Sequence, residues 1–252
     1  IKTPTGFVTR TLDEVRLYTE KIGKEVVLKP QLRKVKGRGK KGLIRFVKNA
    51  EEAVKEAKEL FGKQVNGERI ELLLIEEKVV IEKELYVGIT VDRSEQQPVI
   101  IVSSMGGVDV ETVKERSPEL ISFKHVDINK GIREYEIREI AKRVGLSGKV
   151  MTEFSRIAFK LYKIFRDYDA EMVEINPLAI DKDGKLIAVD AVLNIDDNSL
   201  FRHHDLGRYF DICFESKLEK LAFESGFVYV ELDGDVGILG NGAGLTMATL
   251  YI

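Results

Sequence analysis

The sequence predicts a mixed α/β fold, with the start of a second α/β unit near its end. Three observations carry that expectation. Apolar runs of period two alternate with runs of helical period along the first two hundred residues. A strong hairpin signal occupies Glu171 to Asn194, E-M-V-E-I-N-P-L-A-I-D-K-D-G-K-L-I-A-V-D-A-V-L-N. From Gly226 a strand, a D-G-D turn, a strand and N-G-A-G opening a helix follow one another closely.

The elements can be read in order. Gly6 to Arg10 reads as a short strand, and Thr11-Leu12-Asp13-Glu14 opens a helix in the capping-box manner, ending at Gly23. Glu25 to Lys29 is a buried-type strand, a basic loop runs from Arg33 to Gly42, and Leu43 to Val47 is a strand. Asn49 caps a helix with Ala50, Val54, Ala57 and Leu60-Phe61 at helical spacing. Strands follow at Leu72–Ile75, Leu85–Asp92 and Val99–Ser103, then a turn at Gly106-Gly107. Tyr135–Val144 and Lys149–Arg166 are amphipathic helices that lead into the hairpin. Residues 1–200 are expected to form one domain with a cut N-terminal end. Residues 201–225 read as a linker, and 226–252 as the start of a second, truncated domain.

In the hairpin, Asp181-Lys182-Asp183-Gly184 is a turn with Asp first and Gly fourth, where a left-handed backbone is cheap. A three-residue loop with a glycine bulge sets Ile180 opposite Leu186 and Asn176 opposite Asp190. Alternation then places Glu174, Asn176, Asp190 and Asn194 on one face, with Val173, Ile175, Ala179, Ile187, Val189, Ala191 and Leu193 on the other. Asn176 and Asp190 become a candidate pair for a hard cation such as Mg²⁺, which takes carboxylate and amide oxygens and shares phosphate oxygens with a nucleotide. An ordinary amphipathic hairpin with one wet face satisfies the same spacing. Pro177 cannot donate to a ladder and favours an edge or a bulge.

Composition removes several classes. With 40 basic and 42 acidic side chains there is no electrostatic case for nucleic acid or a membrane surface. No apolar run is long enough to span a bilayer, and I-K-T-P-T-G is not a signal peptide. The lone Cys213 fits a reducing compartment, and the expected location is the cytoplasm. His125, His203 and His204 have no zinc spacing and read as surface or linker residues.

Other motifs bear on phosphate chemistry. Gly37-Arg38-Gly39-Lys40-Lys41-Gly42 has the letters of a dinucleotide loop, but a strand follows it rather than a helix, so that reading fails. A strand–glycine loop–strand unit suits a flap over phosphates, with Lys29 reaching from the preceding strand; a solvated basic loop is the alternative. Glu76 and Glu84 flank an apolar gap at Val79-Val80-Ile81, which offers carboxylates for ribose or amine donors and main-chain groups for a base edge. Exposed strand-end glutamates are the alternative there. Asn241-Gly242-Ala243-Gly244 follows a strand and opens a helix, as an anion site or as a plain tight turn.

Together these pieces resemble the succinyl-CoA synthetase (succinate–CoA ligase) β-subunit family, which are ATP-grasp ligases. The resemblance rests on V-V-L-K-P-Q, G-R-G-K, E-K-E-L-Y-V-G-I-T-V-D-R, E-I-N-P-L, D-G-K-L-I-A-V-D-A-V-L-N-I-D-D-N-S-L-F-R and V-G-I-L-G-N-G-A-G-L. It implies an ATP-grasp fold of two lobes followed by a flavodoxin-like domain. It also implies a nucleotide (ATP/ADP, with GTP/GDP an alternative) held by Lys29, Gly37, Arg38, Gly39, Glu76, the main chain near Val79, and Glu84. By the same resemblance Asn176 and Asp190 match magnesium ligands, Asn241 matches a substrate-contacting asparagine, and Glu174 would orient a visiting imidazole. The implied partner is an α subunit that carries a phosphorylated histidine and the CoA site, with succinate and CoA as ligands. A malate- or citrate-CoA ligase subunit, or a docking subunit without turnover, is the alternative. Two departures stand out: Lys36 and Lys41-Gly42-Leu43 replace small residues around the basic loop, and Met105 stands where an acidic residue is common.

Overall fold

The computed structural model describes residues 1–32, 42–209, 216–232 and 234–250. The chain divides into two compact units, 1–204 and 205–252.

The described residues of unit one form two large sheets and a two-stranded ribbon. The smaller is built from β1 (Gly6–Thr9), β2 (Val26–Pro30), β3 (Arg45–Val47) and β6 (Leu73–Glu77), in the order β1-β6-β2-β3 and antiparallel throughout. Helices α1 (Leu12–Ile22) and α2 (Ala50–Leu60) cover one face. Alternation sends Val26, Leu28, Val47, Leu73 and Ile75 to that face, against Val15 of α1 and Ala53, Ala57 and Leu60 of α2. Each such Leu or Ile contributes about 1.5–3 kcal/mol by burial. Both helix starts follow the sequence: Thr11 Oγ1 accepts from Glu14 N at 3.3 Å, and Asn49 Oδ1 from Glu52 N at 2.9 Å. At α1 the box is altered, because the Glu14 carboxylate accepts from the Thr9 hydroxyl instead of closing on Thr11. A small ribbon, β4 (Gln64–Val65) and β5 (Glu68–Arg69), turns at Asn66-Gly67. It was not expected, although Asn-Gly is a hairpin signal.

The larger sheet contains β7 (Ile81–Asp92), β8 (Gln97–Ser103), β9 (Ile121–His125), β10 (Ala170–Asp181), β11 (Leu186–Ala188) and β12 (Ala191–Ile195). Its order is β11-β10-β7-β8-β9, with β12 also on β10. Helices α4 (Glu134–Arg143) and α5 (Gly148–Asp167) lie in the expected places and bury Ile137, Ile140, Phe154, Ala158 and Leu161 against Leu85, Val87, Ile89, Ile100 and Val102. β9 and helix α3 (Val110–Arg116) are additions to the sequence reading.

The hairpin has the expected register. Ile180 pairs with Leu186 and Ile175 with Ala191, and between them Asn176 N donates to Asp190 O at 3.0 Å. Gly184 (φ 72°) donates to Asp181 O. The face assignment, however, needs correction. Val173 and Ile175 face the core before Pro177, but Leu178, Leu186 and Ala188 do so after it, in place of Ala179 and Ile187. The cause is a bulge: on the β7 side the register shifts between Ile175 and Leu178, where proline has no N–H to give. One slipped residue exchanges the faces. Leu193 and Val192, on β12, are exposed.

His203 is not a surface residue. It is buried, stacks on Tyr168, and its Nε2 lies 2.7 Å from Asp169 Oδ2. Asp169 also takes two bonds of 2.7 Å from Arg202, so the end of unit one is tied back onto the sheet.

In unit two, helix α6 (Lys217–Glu224) lies inside the stretch read as a linker, with Ser216 as its cap. Helix α7 (Ala243–Leu250) forms where N-G-A-G predicted one. The two strands expected between them are absent among the described residues. Val228 is 96% exposed and Leu239 93% exposed, so these apolar segments have neither ladder partners nor a core, and strands need both.

Candidate functional site

The face of the small sheet turned away from its helices carries Lys29 and Glu76. Lys29 pairs with Leu74 and Val27 with Glu76, so the two charged residues are diagonal neighbours on one face. Their heads meet at 2.5 Å. Both are buried, Lys29 to 6% exposure and Glu76 to 9%. This corrects the simple picture of Lys29 as an extended cation: its partner is supplied by its own sheet. Glu76 in turn faces the Lys29 ammonium. Gly6 opposite Glu76 leaves room for that carboxylate, since a Cβ there would lie 2.7 Å from Glu76 Cγ.

Lys29 also reaches the other sheet. Its Nζ donates to Val189 O at 2.7 Å, one residue before Asp190. Asp190 lies across the hairpin from Asn176, and Glu174 is two residues further along the same strand. Lys29, Glu76, Asn176 and Asp190 are therefore brought together, although they come from β2, β6, β10 and the β11–β12 junction.

Asn176 is a structural residue as well as a candidate ligand. Its Oδ1 accepts from Gly107 N at 2.8 Å and its Nδ2 donates to Val108 O at 3.0 Å, which clamps the loop after β8. That loop also lies on β7. Gly106 N donates to Glu84 O, and a Cβ at Gly106 would fall 2.3 Å from Leu85 O. At Gly107 (φ 72°) a Cβ would fall 2.1 Å from Glu84 Oε2, so the Glu84 carboxylate rests against this loop. Sequence reasoning read Gly106-Gly107 only as a turn. The paired glycines were the available signal of a close approach.

Val79 lies in the crossing from β6 to β7, the strand-to-strand link between the two sheets. No hydrogen bond joins its main chain to another described residue. Tyr86, which the sequence did not single out, donates to Glu174 Oε2 at 3.0 Å. Burial, and then the Glu174 charge, push the phenol well above its ordinary range and keep it protonated. Gly37, Arg38 and Gly39 lie outside the described residues. Asn241 precedes α7 in unit two and is exposed there.

The donors suit a hard cation. Asn176 and Asp190 offer only oxygen, and an amide oxygen that accepts one N–H keeps a second lone pair. Asp190 Oδ1 accepts from Ala191 N at 3.1 Å, which steadies its carboxylate. No group of three or more His, Cys, Asp or Glu among the described residues could form an all-protein cage. Two protein oxygens completed by water and phosphate is the arrangement Mg²⁺ favours.

Two α/β lobes with a lysine, carboxylates and an oxygen pair on their facing strands define a nucleotide-binding class of fold. An ATP-grasp domain model matches residues 1–180, and the chain belongs to that family. Over all its 252 residues it is 47% identical to the succinate–CoA ligase [ADP-forming] β subunit of Methanocaldococcus jannaschii, and it is 44% identical to that of Ignicoccus hospitalis. It spans 66% of the length of each of these relatives. Among solved structures it is similar to ATP citrate lyase from Methanothrix soehngenii, with TM-score 0.66 and 22% identity over 87% of this chain and 52% of that one, a likeness of fold. No described helix is long and apolar enough to cross a membrane.

Proposed function

We propose that this chain is the nucleotide-binding part of a succinate–CoA ligase β subunit, acting in the cytoplasm with an α subunit that supplies a phosphorylatable histidine and the CoA site. The observation that supports the reading is the Lys29 bond to Val189 O, the residue before Asp190, whose carbonyl accepts from Asn176 N across the hairpin. The reaction would be succinate + CoA + ATP = succinyl-CoA + ADP + phosphate, run through the partner's histidine.

Each residue then has a task. Lys29 Nζ donates to Val189 O and is ion-paired with the Glu76 carboxylate, and its remaining donor capacity would serve a phosphate oxygen. Asn176 and Asp190 would hold Mg²⁺, which when bound offsets phosphate charge. The Val79 main chain would meet the base edge, and Glu84 would accept from ribose hydroxyls. Glu174 would accept from the imidazole N–H and hold the ring in line with the phosphoryl group. Gly37, Arg38 and Gly39 are assigned to the phosphates and Asn241 to the acid substrate by motif alone. A coupled assay of the complete αβ complex across ATP, GTP, succinate, malate and citrate tests this reading. Turnover confined to succinate, CoA and one nucleotide is expected; turnover only with citrate or malate, or none at all, would overturn it.

A further inference from the structure

We propose that Tyr86 is a positioning residue for Glu174, its phenol fixing the carboxylate in the orientation that receives the partner subunit's imidazole; this rests on the function proposed above. Glu174 pairs with Gly88, two residues beyond Tyr86 on the same face of β7. Diagonal neighbours on a sheet are within reach of an aromatic side chain. Tyr86 makes that reach by lying over Gly88, where a Cβ would fall 2.2 Å from its Oη and 2.7 Å from its Cζ. Gly88 is thus the gap the phenol fills, and the hydroxyl at its end donates to Glu174 Oε2 at 3.0 Å. Tyr86 is only 5% exposed, so the ring is held on all sides and its hydroxyl is a fixed point. A carboxylate is planar, so anchoring Oε2 sets the direction of Oε1. The phenol stays protonated because burial and the Glu174 charge both oppose its ionisation, so toward the carboxylate it is the donor.

The test uses the full-length chain assembled with its α subunit and follows phosphoryl transfer from ATP to the partner's histidine. Tyr86→Phe keeps the ring over Gly88 and removes only the donor. Transfer should fall roughly 10- to 100-fold while Mg·ADP affinity stays within about twofold. Gly88→Ala, which displaces the phenol, should reproduce the loss. In a Glu174→Gln background Tyr86→Phe should cost nothing further, because the two act as one unit. Wild-type transfer by Tyr86→Phe, or losses that multiply in the double variant, would overturn the proposal. Should Tyr86→Phe fail to fold, Gly88→Ala alone and with Glu174→Gln decides on the same terms. Normal transfer by Glu174→Gln marks a different failure, that of the role given to Glu174, and this inference falls with it.

Discussion

Lys29 shows how much depends on a single side chain. It is buried against Glu76 on its own sheet and bonded to Val189 of the other. Lys29→Ala would leave the Glu76 carboxylate buried without its counter-charge, so stability should fall by about 3 kcal/mol or more, alongside an approximately tenfold or greater loss of nucleotide affinity. Lys29→Met with Glu76→Gln replaces the pair by neutral groups of similar volume and should restore most of the stability but none of the affinity. Urea melts and calorimetry on the three proteins separate the two effects; full recovery of affinity in the double variant would contradict the phosphate role. Asp169 supplies a second prediction. Hydrogen bonds from His203 and then Arg202 hold its carboxyl below the usual carboxylate range. A depressed folded-state pKa gives stability that is complete above the unfolded value, roughly 3.9, and is lost as pH falls below it towards the folded one. Asp169→Asn should therefore lower stability at neutral pH and flatten the decline below about pH 4. An unchanged acid unfolding curve would contradict the cluster's role.

At the scale of elements, the hairpin carries the claim about metal. Asp190→Asn keeps the side chain's shape and removes one charge from the proposed pair, so the Mg²⁺ midpoint for ADP binding should rise while metal-free binding changes less. Identical midpoints in wild type and variant would sink the metal assignment. The loop after β8 makes a separate prediction. Gly106→Ala drives a Cβ to 2.3 Å from Leu85 O, against backbone that cannot swing aside, and should cost about 1–3 kcal/mol, read as a lowered unfolding midpoint. These elements also show what sequence can and cannot reveal. The hairpin register was legible because Asp181 to Gly184 sets it locally, and both helix caps were legible for the same reason. The exchange of faces at Pro177 was not, because it depends on how β10 meets β7, a strand remote in sequence. The Lys29–Glu76 pair and the Tyr86–Glu174 bond were hidden for that reason too: each is a diagonal contact between strands whose pairing has no local signature.

At the scale of the molecule, unit one joins two sheets through the 78–80 crossing and the Lys29 bond, with each sheet backed by its own helices. The nucleotide site proposed here uses the faces that the helices leave open, so it should exist in unit one without a partner subunit. Catalysis should not, because the proposed function assigns the phosphorylated histidine to a partner subunit. Calorimetric titration of this chain alone with ADP, in the presence and absence of Mg²⁺, tests that most directly. A saturable, one-site heat that strengthens with Mg²⁺ is the predicted result; a folded protein that shows no saturable binding under either condition would contradict it.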